Sequence, residues 1–336
     1  MILVGWALSA TVFTSQATSG ASAAAPAAAQ VLLKLDHSIP LTGVKGRIDH
    51  LALDAQRDRL YLAALANDTI EVVDLQTKKR ARSLSGASEP QGVLYLEAFD
   101  VLVVANGGNG MLEVFDGDTL EKRSSSYVGE DADNLRYDAV AQQVFVAYGR
   151  GAVGILDAAT WKPLAQMKVA AHPEAFALDP HSSRVFVNVP SERSIAVLDR
   201  STRATSAVWP VASAQANYPM ALLGADERLL VGCRNPPKLL VYDTKSGKES
   251  AALDLSGDVD DIFFDAERAR VYASCGAGFI DVFERTSPGV LAPAGKVATR
   301  GGARTSLFVP ERKRLYLAVP EHGGEPAEVR VFDVVP

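Results

Sequence analysis

Most of the residues able to do chemistry fall into two columns. The first runs Asp49, Gln91, Asp133, Glu174, Met220, Asp260 and Arg304. The second, two residues earlier each time, runs Arg47, Glu89, Asp131, His172, Tyr218, Asp258 and Gly302. His50, Asn134 and Asp261 directly follow members of the first. Residues i and i+2 of an extended chain point the same way. Asp131/Asp133, His172/Glu174 and Asp258/Asp260 are therefore expected to present paired side chains toward one region. Converging carboxylates repel one another and need relief from a cation, an arginine or proton uptake. Arg47 and Arg304 can supply part of that relief internally. A divalent cation can supply the rest: oxygen donors suit calcium or magnesium, and the imidazoles admit zinc or another transition metal. A structural reading competes, because Asp and Asn at strand starts often hydrogen-bond turn backbone.

The columns exist because the chain repeats. An apolar strand ending in an acid recurs at Asp74, Asp116, Asp157, Asp199, Asp243, Glu284 and Asp333, at intervals of 41 to 49 residues. That period matches a four-stranded propeller blade, and there are seven copies. Each repeat has a first strand (a) such as 51–54, a second (b) such as 59–62, a third (c) ending in the marker acid, and a more variable fourth (d) such as 78–84. Alternation and enrichment in β-branched and aromatic residues support strands throughout. The marker acids read as turn residues, since an Asp side chain accepts backbone N–H groups two residues on. Asp54/Arg59, Asp179/Arg184 and Asp265/Arg270 read as salt bridges of the opposite face.

The last repeat stops after its third strand, while the segment 31–35 precedes the first repeat without a blade of its own. An open ring would expose strand edges, so the N-terminal strand is expected to complete the C-terminal blade. The fold class is all-β, a single seven-bladed propeller over residues 30–336. Strand a is innermost. Its starts, together with the b-to-c loops, surround one end of the central channel, here called the top. Those loops add Asn67, Tyr148, Arg150, Arg234, Glu321 and His322.

Several motifs lead elsewhere and are set aside. Gly149 to Gly154 has the G-x-G-x-x-G form after a strand, but the dinucleotide fingerprint needs a helix at its third glycine and a strand follows here. No G-x-S-x-G, H-E-x-x-H, C-x-x-C-H or Walker A sequence occurs. Cys233 and Cys275 occupy equivalent places in adjacent blades, too far apart for a bridge if blades pack like facing sheets, so two free, semi-buried thiols are expected. Trp161 and Trp209 are placed at blade edges, without a role.

The 336 residues carry 34 Lys and Arg against 40 Asp and Glu, a net charge of −6 that argues against a nucleic-acid partner. The first charged side chain is Lys34. An apolar run over 2–13 and small residues up to Ala29 read as a signal peptide and Ala-rich leader over 1–29, cleaved near Ala24 or Gln30. The run is too short to span a bilayer. A periplasmic or secreted monomer without a transmembrane segment is expected.

The repeat form, seen from Arg59-Leu60-Tyr61-Leu62-Ala63 through Thr69 to Asp74, resembles that of the bacterial YncE-like (YVTN-type) seven-bladed propellers, over about residues 31 to 336. The resemblance implies an exported binding or scaffold protein. It implies no functional residues, and relatives of that family include lactonases and the haem d1 domain of nitrite reductases. Two functions follow as expectations. One is a non-catalytic protein with a small-molecule, metal or protein site at the top mouth, formed by Arg47, Asp49, His50, Gln91, Asp131, Asp133, Asn134, His172, Glu174, Tyr218, Asp258, Asp260, Asp261 and Arg304. The other is a metal-dependent lactonase-like hydrolase, with Asp133, Glu174 or Asp260 as ligands and His50 or His172 as base. A redox-accessory propeller is a third and weaker reading.

Overall fold

Twenty-eight strands form seven separate four-stranded antiparallel sheets in a computed structural model that describes residues 1–2 and 31–336. The expected leader falls almost entirely outside the described residues. In six blades the strands run a-b-c-d in chain order. Blade 3 is typical, with Leu135–Asp138, Gln143–Tyr148, Ala152–Asp157 and Pro163–Lys168. Among the described residues the helical segments are four single 3₁₀ turns, and no helix is long and apolar enough to cross a membrane.

The sequence pattern explains the layering. Strand b is buried along almost its whole length, as in Arg59–Ala64 and Arg314–Val319, because a neighbouring blade covers each of its faces. That burial on both sides is why these strands read as continuous apolar runs. Strand d is largely exposed, as in Lys79–Ser85, and its polar residues protect the outer edge. Seven apolar clusters fill the seven gaps between blades. Tyr61, Tyr272 and Tyr316, all on b strands, are fully buried within them.

The seventh blade closes the ring as expected. Leu33–Pro40 pairs antiparallel with Glu328–Val334, from Leu33 opposite Val334 to Pro40 opposite Glu328, across one bulge. The Leu41 amide donates to the Ala327 carbonyl at 2.8 Å, extending the pairing. Ile39 and Leu41 are completely buried there.

The turns bear out the architectural reading of the marker acids. One Oδ1 of Asp74, Asp116, Asp157, Asp199 and Asp243 accepts the amides two and three residues on. The opposite-face salt bridges need correction. Asp179 does pair with Arg184 at 2.9 Å. Asp54 instead binds Arg57, and Asp265 binds Arg268. The tight Asx turn at each aspartate brings the residue three positions on back over the carboxylate, while Arg59 reaches the carbonyls of Gly117 and Asp118 and Arg270 pairs with Glu284. Gly149 to Gly154 forms a b-to-c hairpin. Cys233 and Cys275 are free, but they lie inside b strands and are fully buried, not semi-buried. Trp209 lies on the edge strand Ala204–Pro210 of blade 4, as expected, with its ring stacked on Tyr242 in the gap between blades 4 and 5.

Candidate functional site: a divided ring at the channel mouth

The ladder between strands a and b sets the register of the mouth. The amides of Asp49, Asp133 and Glu174 each donate to a b-strand carbonyl, and the residues that follow them accept in return. In blades 2, 5 and 6 the same station is a bulge, between Pro90 and Val93, Asn217 and Met220, and Val259 and Asp261. Bulges re-aim side chains and are common beside functional sites. The register also corrects the first column. Met220 stands opposite Val231 as Val93 stands opposite Val104, so Tyr218, not Met220, is the counterpart of Gln91. In blade 5 strand a begins early, at Gln215, which hides the equivalence in the sequence.

Nine of the fourteen expected residues line one narrow neck of about 70 Å³: Arg47, Asp49, His50, Asp133, Asn134, Glu174, Tyr218, Asp260 and Asp261. Gln91, Asp131, His172, Asp258 and Arg304 form its outer rim by contact. Gln91 Nε2 donates to Asp131 Oδ1 at 3.0 Å, and Asp131 Oδ2 lies 3.4 Å from His172 Nδ1. Asp131 (φ 53°) and Asp258 (φ 60°) are left-handed, not extended, yet Asp258 and Asp260 still converge as expected, on Arg234 and Arg304. Asp131 is exposed while Asp133 is buried. Of the b-to-c loop residues, Arg234 reaches the ring and Arg150 lies beside Asp131 and His172. Asn67 ties down Lys45, Tyr148 bonds Gln166, and Glu321 and His322 are exposed in a hairpin outside the neck.

The ring is divided electrostatically. On the side of blades 5, 6, 7 and 1, arginines neutralise it. Arg47 meets Asp49 at 2.6 Å. Arg304 holds Asp258 at 2.8 Å and Asp260 at 2.9 Å. Arg234 pairs with both of these aspartates while its guanidinium stacks 4.0 Å over the Tyr218 ring. On the side of blades 3 and 4, Asp133, His172 and Glu174 have no arginine at ion-pairing distance among the described residues. One donor atom from each of the three falls within 4.8 Å of the others.

Local structure prepares this unpaired half. His172 Nδ1 lies 2.7 Å from the Gly149 carbonyl oxygen. A carbonyl only accepts, so Nδ1 carries the hydrogen, and the lone pair of the neutral ring is on Nε2. That atom faces Glu174 Oε1 at 4.0 Å. Asp133 is 6% exposed, and its Oδ1 is buried without a hydrogen-bond partner. His50 Nε2 stands 3.8 Å from it, beyond bonding distance. Gly92 permits the close approach of blades 2 and 3 at this point: a Cβ there would lie 2.1 Å from the Asp133 carbonyl oxygen.

These environments move the acids upward. Burial, then the Asp49 carboxylate, pushes Asp133 up to about 8 against the pull of His50. Burial, then Asp260, pushes Glu174 up to about 7. Burial also raises Asp260, although Arg234 and Arg304 oppose it. Asp261 is raised well above the carboxylate range by burial, despite accepting the Ser306 amide at 2.7 Å. Such shifts are what desolvation and like charge impose on buried acids.

Sequence reasoning missed Arg136. The register aligns it with Ala52, Leu94, Ala177, Ala221, Phe263 and Leu307, all apolar. A lone charge in an apolar column was the available signal. Arg136 lines both the neck and a wider channel of about 440 Å³ beneath it.

No family model matches this chain, and no curated protein matches its sequence. Its fold is shared: 1828 chains of solved structures are similar to it, which is why the ring by itself carries no function. One is a chain of the crystal structure of a mitotic checkpoint complex, with a TM-score of 0.77 over 97% of this chain and 99% of that one, at 11% identity. At that identity the likeness establishes the seven-bladed fold alone.

Proposed function

We propose that this chain is an exported, monomeric, non-catalytic β-propeller of the YncE-like kind that binds a divalent cation at its top mouth. The leader pattern of residues 1–29 supports export, and the repeat form supports the family. The observation that carries the cation is the unpaired half of the ring: a buried Asp133 Oδ1 with no partner, in one cluster with Glu174 and a His172 whose Nε2 lone pair is fixed by the Nδ1–Gly149 bond. Backbone-anchored imidazoles of this kind are typical of metal ligands. Asp133, His172 and Glu174 would be the ligands, leaving open positions. One nitrogen among three donors favours zinc, cobalt or nickel over calcium, which takes six to eight oxygens. Asp260, committed to two arginines, is not among the ligands.

The test is metal analysis of the purified protein, followed by calorimetric titration with Zn²⁺, Co²⁺ and Ca²⁺. Stoichiometric zinc binding, weakened at least tenfold in Glu174→Gln, supports the reading. Equal zinc affinity in wild type, Asp133→Asn and His172→Ala overturns it.

One observation favours a second reading, the lactonase-like hydrolase. The unbonded His50 imidazole beside Asp133 is placed to take a proton from a water held in the neck. Lactone turnover that disappears in both His50→Ala and Glu174→Gln would establish it.

A further inference from the structure

Below the acidic neck the channel changes character. Most of the residues bordering its cavity of about 440 Å³ are apolar; Ala177, Leu222, Phe263 and Leu307 keep accessible surface, while Leu135, Phe176, Met220 and Ile262 turn into the gaps between blades. That volume falls in the range of small-molecule sites, which pair apolar walls with a few polar anchors. The half-buried Tyr137, Leu178, Leu222 and Phe263 come late in their a strands and so line its lower end. A ligand entering from the bottom face would therefore meet the apolar section first.

The prominent polar anchor is Arg136. Its Nη1 donates to the Leu135 carbonyl at 2.7 Å, and its guanidinium carbon lies 5.5 Å from the centre of the Phe176 ring. Among the described residues it has no other protein acceptor and no carboxylate at ion-pairing distance. A guanidinium presents five N–H donors in a planar fork, so most of this fork faces the cavity. Asp133 and Asp261 influence it only from a distance. The accessible surface of Arg136 is channel surface, and enclosure by protein lowers its pKa. Arg47, Arg234 and Arg304, by contrast, are all satisfied by aspartates.

We infer that the channel below the neck is a separate binding site for a small amphipathic monocarboxylate, whose carboxylate docks on the Arg136 fork and whose apolar body fills the lower channel. The fork matches a carboxylate bidentately. A single negative charge fits better than a phosphate dianion, because Asp261 also borders the cavity. The inference does not depend on the cation site, which uses none of these groups.

The experiment is calorimetric titration of the full chain with 4-phenylbutyrate and octanoate, with 4-phenylbutanol, octanol and inorganic phosphate as comparisons. It is run on cation-free protein, on zinc-saturated protein and on His172→Ala. The carboxylates are expected to bind at least tenfold more tightly than their alcohols in all three, and phosphate not to bind. Arg136→Met is expected to erase the preference for the acid over the alcohol, with a melt confirming that it is folded. Should it not fold, Ala177→Trp narrows the channel without touching the charge and is expected to exclude acid and alcohol alike. Equal affinity for acid and alcohol in wild type, unchanged acid affinity in folded Arg136→Met or in Ala177→Trp, or no uptake by any form overturns the inference. Retained carboxylate binding in His172→Ala alongside lost zinc binding separates the two sites.

Discussion

His172 Nδ1 is bonded to the Gly149 carbonyl at 2.7 Å across the gap between blades 3 and 4, and this one contact orients the imidazole. Nε2 is thereby turned toward Glu174, in a cluster that a carboxylate oxygen of Asp133 completes. If that lone pair holds a metal, His172→Ala lowers Zn²⁺ affinity at least tenfold. Loss of Asp131, which only flanks Nδ1, has a smaller effect. Titration of the two variants side by side measures the difference.

The raised carboxyls make stability depend on pH in an uncommon direction. The fold keeps protons on Asp133 and Glu174 that the unfolded chain has already released. Their contribution is therefore full below the ordinary carboxylate range and is lost as pH rises through about 7 to 8. Cation-free protein is expected to lose melting temperature between pH 5 and pH 8.5, by a few degrees as an order of magnitude. Asp133→Asn should flatten the profile, and saturating Zn²⁺ should reverse its slope, since the cation competes with the protons. A slope that survives unchanged in Asp133→Asn assigns the protons elsewhere.

Arg57 is a hub between blades 1 and 2, bonding the buried Asp54 at 3.0 Å, Asp100 at 2.8 Å and Tyr95 at 2.9 Å. Arg57→Met strands two carboxylates but leaves Asp54 its backbone partners. The expected loss is about 1–2 kcal/mol, below the value for a fully buried pair because Arg57 is partly exposed. Urea unfolding reads it directly.

Ile39 sits in the closing strand and is completely buried. Ile39→Ala is expected to cost about 2–4 kcal/mol through lost burial and the cavity left behind. Ile39→Asp should prevent ring closure, seen as a collapsed melting transition.

Both thiols are buried, and desolvation pushes Cys233 up to about 12, with Cys275 raised as well. Only the thiolate reacts quickly. A disulfide exchange reagent should leave both untouched in the native protein and titrate both in denaturant. Rapid labelling of the folded protein contradicts their placement inside the b strands.

The ring was legible because a repeat multiplies its own signal: the marker acids set the period, and the unpaired segment at 31–35 pointed to the closure. The membership of the mouth was legible for the same reason, since equivalent stations of seven blades converge by symmetry. What the sequence did not contain is the pairing within that ring. Whether Asp260 or Asp133 receives an arginine depends on side chains reaching across blades, as Arg234 and Arg304 do. Tyr218 was displaced by two positions because an early strand start concealed a bulge. Arg136 was overlooked because a register, not a motif, reveals that its six counterparts are apolar.

The joining of Leu33–Pro40 to Glu328–Val334 also sets a timetable. The strand made early must wait for the one made last, so the seventh blade cannot form while the chain is still growing. Contacts this distant in sequence are slow to form, and until they do, two raw strand edges stay open. The step that locks the ring is thus deferred until both of its ends are present.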